Sequence, residues 1–203
     1  MARDIPPAIL RAIAEGNGIL FLGAGASYDA LQESKPSRIT ADIVKETLSN
    51  KFLGGAFKDK SLMTVADLAR NEDSLLNVQS TVREIFSRLE PNTFHLTVPQ
   101  FRWKAIISTN YDLVVERTYK QTASRLQQLA PIAKNGPELQ EALSRQNTVP
   151  YLKLHGCIDN YTDTTVPIVL DSLEYSKFSS GRENLVTALK EWAVNYPIIF
   201  CGY

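Results

Sequence analysis

Ile19-Leu20-Phe21-Leu22-Gly23-Ala24-Gly25-Ala26-Ser27 is the stretch that decides how this chain folds. A short apolar run stops abruptly at Gly-Ala-Gly-Ala-Ser, the pattern of a buried strand feeding a glycine turn. Glycine permits positive φ and omits the Cβ that would hold a ligand off the backbone. The N–H groups of such a turn, near a helix start, form a cradle for an anion such as a phosphate. The dinucleotide fingerprint asks for a third glycine or alanine, and Tyr28 stands in that position. On this segment alone, a ligand turn and a tight strand–helix turn without a ligand weigh equally.

Outward from this turn, strand-like and helix-like runs alternate. Residues 9–15 have helical spacing and close at Gly16. After the turn, 28–38 is polar and irregular, with Pro36-Ser37 as a helix start. Ile39, Ile43, Val44, Thr47 and Leu48 then recur at helical intervals up to Gly54-Gly55, and 64–69 and 75–89 are further amphipathic helices. Three helices are too much for one crossover, so about 38–90 reads as a helical insertion packed beside the sheet. Further strands are expected at 104–108, 151–154, 166–170 and 197–201, with helices through Leu113 and Tyr119 and over 137–146, 171–178 and 184–196. The fold class is α/β: a Rossmann-like, open, mostly parallel sheet with helices on both faces and the insertion after the first strand. The chain stops at Tyr203, just past a buried strand, which suggests a domain cut from a longer protein.

Composition narrows the function. Lys plus Arg and Asp plus Glu are 22 each, so no general charge drives the chain toward nucleic acid or an anionic membrane. The 203 residues are 44% apolar, enough for a real core. The two cysteines, Cys157 and Cys201, form no Cys-x-x-Cys pair, which argues against a zinc module and suits buried reduced thiols. Neither a secretory leader nor a run of about 20 apolar residues is visible, and the reading is a cytoplasmic protein. The charged pairs Arg182-Glu183 and Lys190-Glu191 suit solvated helix faces.

Ligands of open parallel sheets bind beyond the carboxyl ends of the strands. Four strands here finish in small or reactive residues: Gly23 to Ser27, Ser108-Thr109-Asn110-Tyr111-Asp112, His155-Gly156 and Gly202-Tyr203. In a parallel sheet these loops share one edge and converge. His155 directly follows an apolar strand, which suits acid–base work, although a lone histidine more often caps a turn. Asn110 equally suits a corner, Asp112 a helix cap, and His95 a packing role near a helix start.

Read in order, Gly23-Ala24-Gly25-Ala26-Ser27, Ser108-Thr109-Asn110-Tyr111-Asp112, Lys153-Leu154-His155-Gly156 and Ile199-Phe200-Cys201-Gly202-Tyr203 resemble the SIR2-like family. Sirtuins show Gly-Ala-Gly-x-Ser, Gln-Asn-x-Asp, a catalytic His-Gly and a Gly-Thr-Ser turn. The Thr-Asn-Tyr-Asp variant is similar to the bacterial branch found in antiphage defence proteins. The chain departs from sirtuin deacylases in lacking the four-cysteine zinc module. Thr109 replaces the glutamine, and Lys35-Pro36-Ser37 stands late and without the glycine of Gly-x-Pro.

The resemblance implies NAD+ as substrate, no metal, and hydrolysis to nicotinamide and ADP-ribose. Asn110 and His155 would be catalytic. Gly23, Ala24, Gly25, Ala26, Ser27, Thr109, Asp112 and Gly202 would bind the dinucleotide, the pyrophosphate at 24–27 and the nicotinamide near Asn110 and Asp112. It also implies a homo-oligomer acting as a defence effector, with a sensor domain or partner protein beyond residue 203. A protein deacylase and a non-catalytic NAD+ or ADP-ribose sensor are the alternatives.

Overall fold

Alternation along the strands sets the architecture. In the computed structural model, which describes residues 5–203, Ile19, Ala105, Ile107 and Leu152 point into one buried cluster, while Leu20, Leu22, Ile106 and Tyr151 point into another. Period-two burial on both sides is what a sheet covered on both faces requires.

The chain opens with α1 (Pro7–Ala14) and β1 (Ile19–Leu22), then a 3-10 turn at Ala24–Ser27. A small hairpin, β2 (Leu31–Gln32) and β3 (Lys35–Pro36), leads to α2 (Ala41–Phe52), α3 (Leu62–Glu72) and α4 (Leu75–Phe86). A 3-10 segment at His95–Gln100 precedes β4 (Ala105–Ser108), α5 (Val114–Gln121), β5 (Gln128–Ile132), α6 (Glu138–Ser144) and β6 (Thr148–Lys153). The described chain finishes with α7 (Ser172–Ser176), α8 (Glu183–Asn195) and β7 (Ile198–Cys201).

The five-stranded sheet runs β5-β6-β4-β1-β7, every pair parallel. The expected α/β, Rossmann-like fold is therefore observed. α6 and α8 cover one face through Leu139, Leu185 and Trp192. On the other face lie Ile13 of α1, Val98 of the 3-10 segment, and Val115 and Tyr119 of α5. The chain leaves β1 in one direction along the sheet and returns to β7 on its other side. The turns after β1 and β7 thus meet at the switch point where open α/β sheets bind ligands.

The insertion helices start as their caps dictate. Thr40, Ser61 and Ser74 accept hydrogen bonds from the N–H groups of Ile43, Thr64 and Asn77, each cap worth about 1 kcal/mol. α2 thus begins after Thr40 rather than at Pro36-Ser37, which the hairpin occupies. The insertion is not packed beside the sheet either. Its core of Val44, Leu48, Val65, Val78 and Val82 meets Ile158, Ile168, Leu170 and Tyr111. Those residues belong to loops beyond the carboxyl ends of β4 and β6. The insertion is therefore a cap over the edge where the candidate residues converge.

Two further expectations are corrected. Residues 166–170 are a buried loop, not a strand. The side chains of Ile168 and Leu170 join the insertion core, and side chains take up part of the loop's backbone. Ile168 N–H donates to Gln79 Oε1 at 2.7 Å, and the Val169 carbonyl accepts from Tyr111 Oη at 2.9 Å. The fifth strand is β5, which carries Pro131 and lies at a sheet edge, where a missing N–H is tolerated.

Candidate functional site

Asn110 is placed by the loop that leaves β4. Its backbone N–H donates to Ser108 Oγ at 2.9 Å, turning the chain at the strand end. Its side-chain amide then reaches the β1 turn: Nδ2 donates to the Gly23 carbonyl at 2.9 Å and to Ser27 Oγ at 3.0 Å. Both amide hydrogens are spent, which leaves Oδ1 as the remaining polar atom. Two residues on, buried Asp112 accepts the N–H of Val114, the first residue of α5, at 2.9 Å.

The glycines of the β1 turn serve a backbone contact. Gly23 and Gly25 donate to the Cys201 and Gly202 carbonyls, both at 2.9 Å, and Ala26 N–H donates back to Gly23 at 3.0 Å. A Cβ on Gly23 would lie 2.7 Å from the Gly202 carbonyl oxygen, and one on Gly202 would lie 2.1 Å from Ala26 N. The close approach that the sequence suggests for a ligand is thus made by the β7 turn. What this corner turns toward the cavities is Ala24, Ala26 and Ser27.

Two adjoining cavities share Ser27, Asn110 and Asp112 as a common wall. The first, of about 240 Å³, is also lined by Ala24, Thr109, Tyr111, His155 and Tyr175, and roofed by Val44, Leu62 and Phe86 of the insertion. The second, of about 230 Å³, is largely apolar and reaches Leu22, Ala26, Phe94, His95, Tyr151 and Cys201. Of the sequence-predicted residues, Ala24, Ser27, Thr109, Asn110, Asp112 and His155 therefore meet at the first cavity. Ala26 lines only the second; Gly23, Gly25 and Gly202 line neither and build the corner behind.

His155 follows Leu154 at the end of the β6 segment, with Gly156 at φ +87° completing the corner. Its carbonyl accepts from Val169 N–H at 3.0 Å. The half-buried ring stands edge-on between Tyr175 and Phe178, with centroids 5.6 and 5.7 Å away. Burial, then the positive field of Arg182, bring its pKa down to about 4. The imidazole is neutral at physiological pH and able to accept a proton.

Residues with no site role in the sequence reading complete the site. Tyr175 and Phe178 stand three apart, the spacing of side chains sharing one helical face, and that was their only signal. His95 proves buried: Nδ1 accepts the Asn92 N–H at 2.9 Å, so Nε2 carries the proton and donates to the Ala26 carbonyl at 2.7 Å. Lys153, 1% exposed, donates to the Asp112 carbonyl and pairs with Glu116 at 2.7 Å, fixing the β4 loop from below. The insertion grips α7 through Arg70, which bonds Asp171 and Glu174 at 2.9 and 2.8 Å.

Two surface expectations fail. Arg182 is only 2% exposed rather than solvated. Both cysteines are free, but Cys201, on strand β7, is exposed. Among the described residues, no three His, Cys, Asp or Glu side chains cluster as a metal site, and no helix is long and apolar enough to cross a membrane.

No curated protein matches this chain. The family model of the SIR2-like domain matches residues 104–203. That span runs from β4 through β7 and holds Asn110, Asp112, His155 and Gly202, with the β1 glycine turn upstream of it. The chain carries a SIR2-like domain.

Proposed function

We propose that the protein hydrolyses NAD+ to nicotinamide and ADP-ribose. The observation that carries this reading is the meeting of a neutral His155, Asn110 and Asp112 around cavities floored by the β1 turn, in a domain whose family uses NAD+.

The chemistry asks little of the protein. Nicotinamide leaves as a neutral base from a cationic pyridinium, so the leaving group needs no general acid. Positive charge develops on the ribose carbon as the C–N bond stretches. Asp112 offsets that charge or accepts a hydrogen bond from the carboxamide. Asn110 Oδ1 orients the attacking water, since its amide hydrogens are committed to Gly23 and Ser27. His155 takes the proton that this water releases, or one from a ribose hydroxyl, contributing about 10²–10⁴ in rate. Ala24 and Ser27 face the pyrophosphate. A defence role, with oligomerisation and a sensor as its trigger, is the biological setting suggested by the Thr109-Asn110-Tyr111-Asp112 variant.

Deacylation is the competing reading. The chain has two cysteines, too few for a four-cysteine zinc module. Incubating the protein with NAD+ and an acetyl-lysine peptide separates the two. Hydrolysis yields free ADP-ribose with the peptide intact; deacylation yields O-acetyl-ADP-ribose and would overturn the proposal. Calorimetric binding of NAD+ without turnover would favour a sensor instead.

A further inference from the structure

Arg182 is a deeply buried charge that the proposed chemistry does not use and that has no carboxylate partner of its own. It precedes α8, and its guanidinium donates to two carbonyls, Pro167 at 2.5 Å and Phe178 at 3.5 Å. Its Nε is buried with no hydrogen-bond partner among the described residues. The two carboxylates whose fields reach it are already engaged: Glu174 with Arg70, and Asp163 with Lys134. Burying a guanidinium without a carboxylate of its own is costly, and arginine cannot shed its proton to escape.

The position of this charge is telling. A Cβ built on Gly156 would lie 3.5 Å from Arg182 Nη2, so the cation sits against the corner that carries His155. Phe178, whose carbonyl Arg182 holds, is one of the two rings flanking the imidazole. Arg182 lines neither cavity, so it does not meet a ligand there.

We propose that Arg182 is a positioning residue: its guanidinium, pinned by the Pro167 and Phe178 carbonyls beside the His155–Gly156 corner, keeps the imidazole uncharged and fixed between its flanking rings. The groups facing His155 agree in effect. Tyr175 of α7 and Tyr111 of the β4 loop are phenols, and burial holds Tyr111 neutral. Asp112, across the cavity, is the one carboxylate in its lining, and Glu174 of α7 is bonded to Arg70. Arg182 is left as the near charge. A second positive charge on His155 is disfavoured, so the ring returns any proton it accepts instead of storing it.

The inference rests on His155 being the proton acceptor of the proposed reaction, but its direct test does not need turnover. The two histidines can be titrated by imidazole NMR in the full chain. His95, locked on both nitrogens, serves as internal reference and marker of folding. Arg182→Gln should raise the His155 midpoint by about one pH unit, while Arg182→Lys, which keeps the charge, should hold it low. Glu174→Gln removes a balancing carboxylate and should lower the midpoint further, and it decides the matter if Arg182→Gln does not fold. The acid limb of nicotinamide release should move with the midpoint in each variant. An unmoved midpoint in Arg182→Gln, or in Glu174→Gln where that variant decides, would overturn the proposal. No nicotinamide release from any form would overturn the NAD+ reading and leave the titration to judge Arg182.

Discussion

Asn110 Nδ2 lies 3.0 Å from Ser27 Oγ, a bond that joins the loop after β4 to the turn after β1. With the Gly23 carbonyl it fixes which face of the carboxamide looks into the cavity. Ser27→Ala removes one of the two anchors. The expected cost is about 1 kcal/mol of stability, measured by urea unfolding. A loosened Asn110 should also lower kcat about tenfold in a nicotinamide-release assay.

The contact between the β1 and β7 turns makes a sharper stability prediction. Gly202 has φ +80°, and its missing Cβ is the space that Ala26 N occupies. Gly202→Ala should therefore cost more than about 3 kcal/mol, combining backbone strain with overpacking. Gly54 is the control: φ is +61° but nothing lies within 4 Å of its Cβ position. Gly54→Ala should cost only about 1–2 kcal/mol. Equal unfolding midpoints for the two variants would contradict the account.

Acid should act through both histidines in the same sense. His155 is held down to about 4 by burial and by Arg182, and burial also lowers His95 despite its bond to Ala26. The unfolded chain takes up protons near the ordinary histidine value while the folded chain refuses them. Stability is therefore complete above that value and lost as pH falls through the folded-state values. Denaturation midpoints measured from pH 7 down to 4 should decline. The acid limb of turnover should lie near pH 4, well below that of an ordinary imidazole.

Lys153 and Glu116 form an ion pair at 2.7 Å under the β4 loop. Removing one partner strands the other's charge. Lys153→Met should cost about 3–5 kcal/mol, and the double variant Lys153→Met/Glu116→Leu should recover most of that loss. A double-mutant cycle by chemical denaturation measures the recovery. Full additivity would show that the pair does not act as a unit.

These cases show what the sequence could and could not convey. β1 and β4 were legible because their apolar runs are followed by Gly23 and by Ser108-Thr109-Asn110, so patterning and punctuation agree. β5 was not, because Pro131, a residue that usually argues against a strand, breaks its short apolar run Leu129-Ala130-Pro131-Ile132. Residues 166–170 carry an apolar run that mimics a strand, whereas Ile168 and Leu170 pack on the insertion helices. The candidate site was visible as polar residues at strand ends. The aromatic walls around His155 were not, since Tyr175 and Phe178 lie far from it along the sequence and meet it only through the tertiary fold. Arg182 was hidden for the same reason: nothing local distinguishes a buried arginine from a solvated one beside Glu183.

The central claim is that His155 and Asn110 act together on the nicotinamide–ribose bond. The most direct measurement is nicotinamide release from NAD+ by the full chain, followed by chromatography, beside His155→Ala and Asn110→Ala confirmed as folded. The account predicts free nicotinamide and ADP-ribose from the unsubstituted protein, and a loss of about 10² or more in rate from each variant. Undiminished turnover in both variants would contradict it.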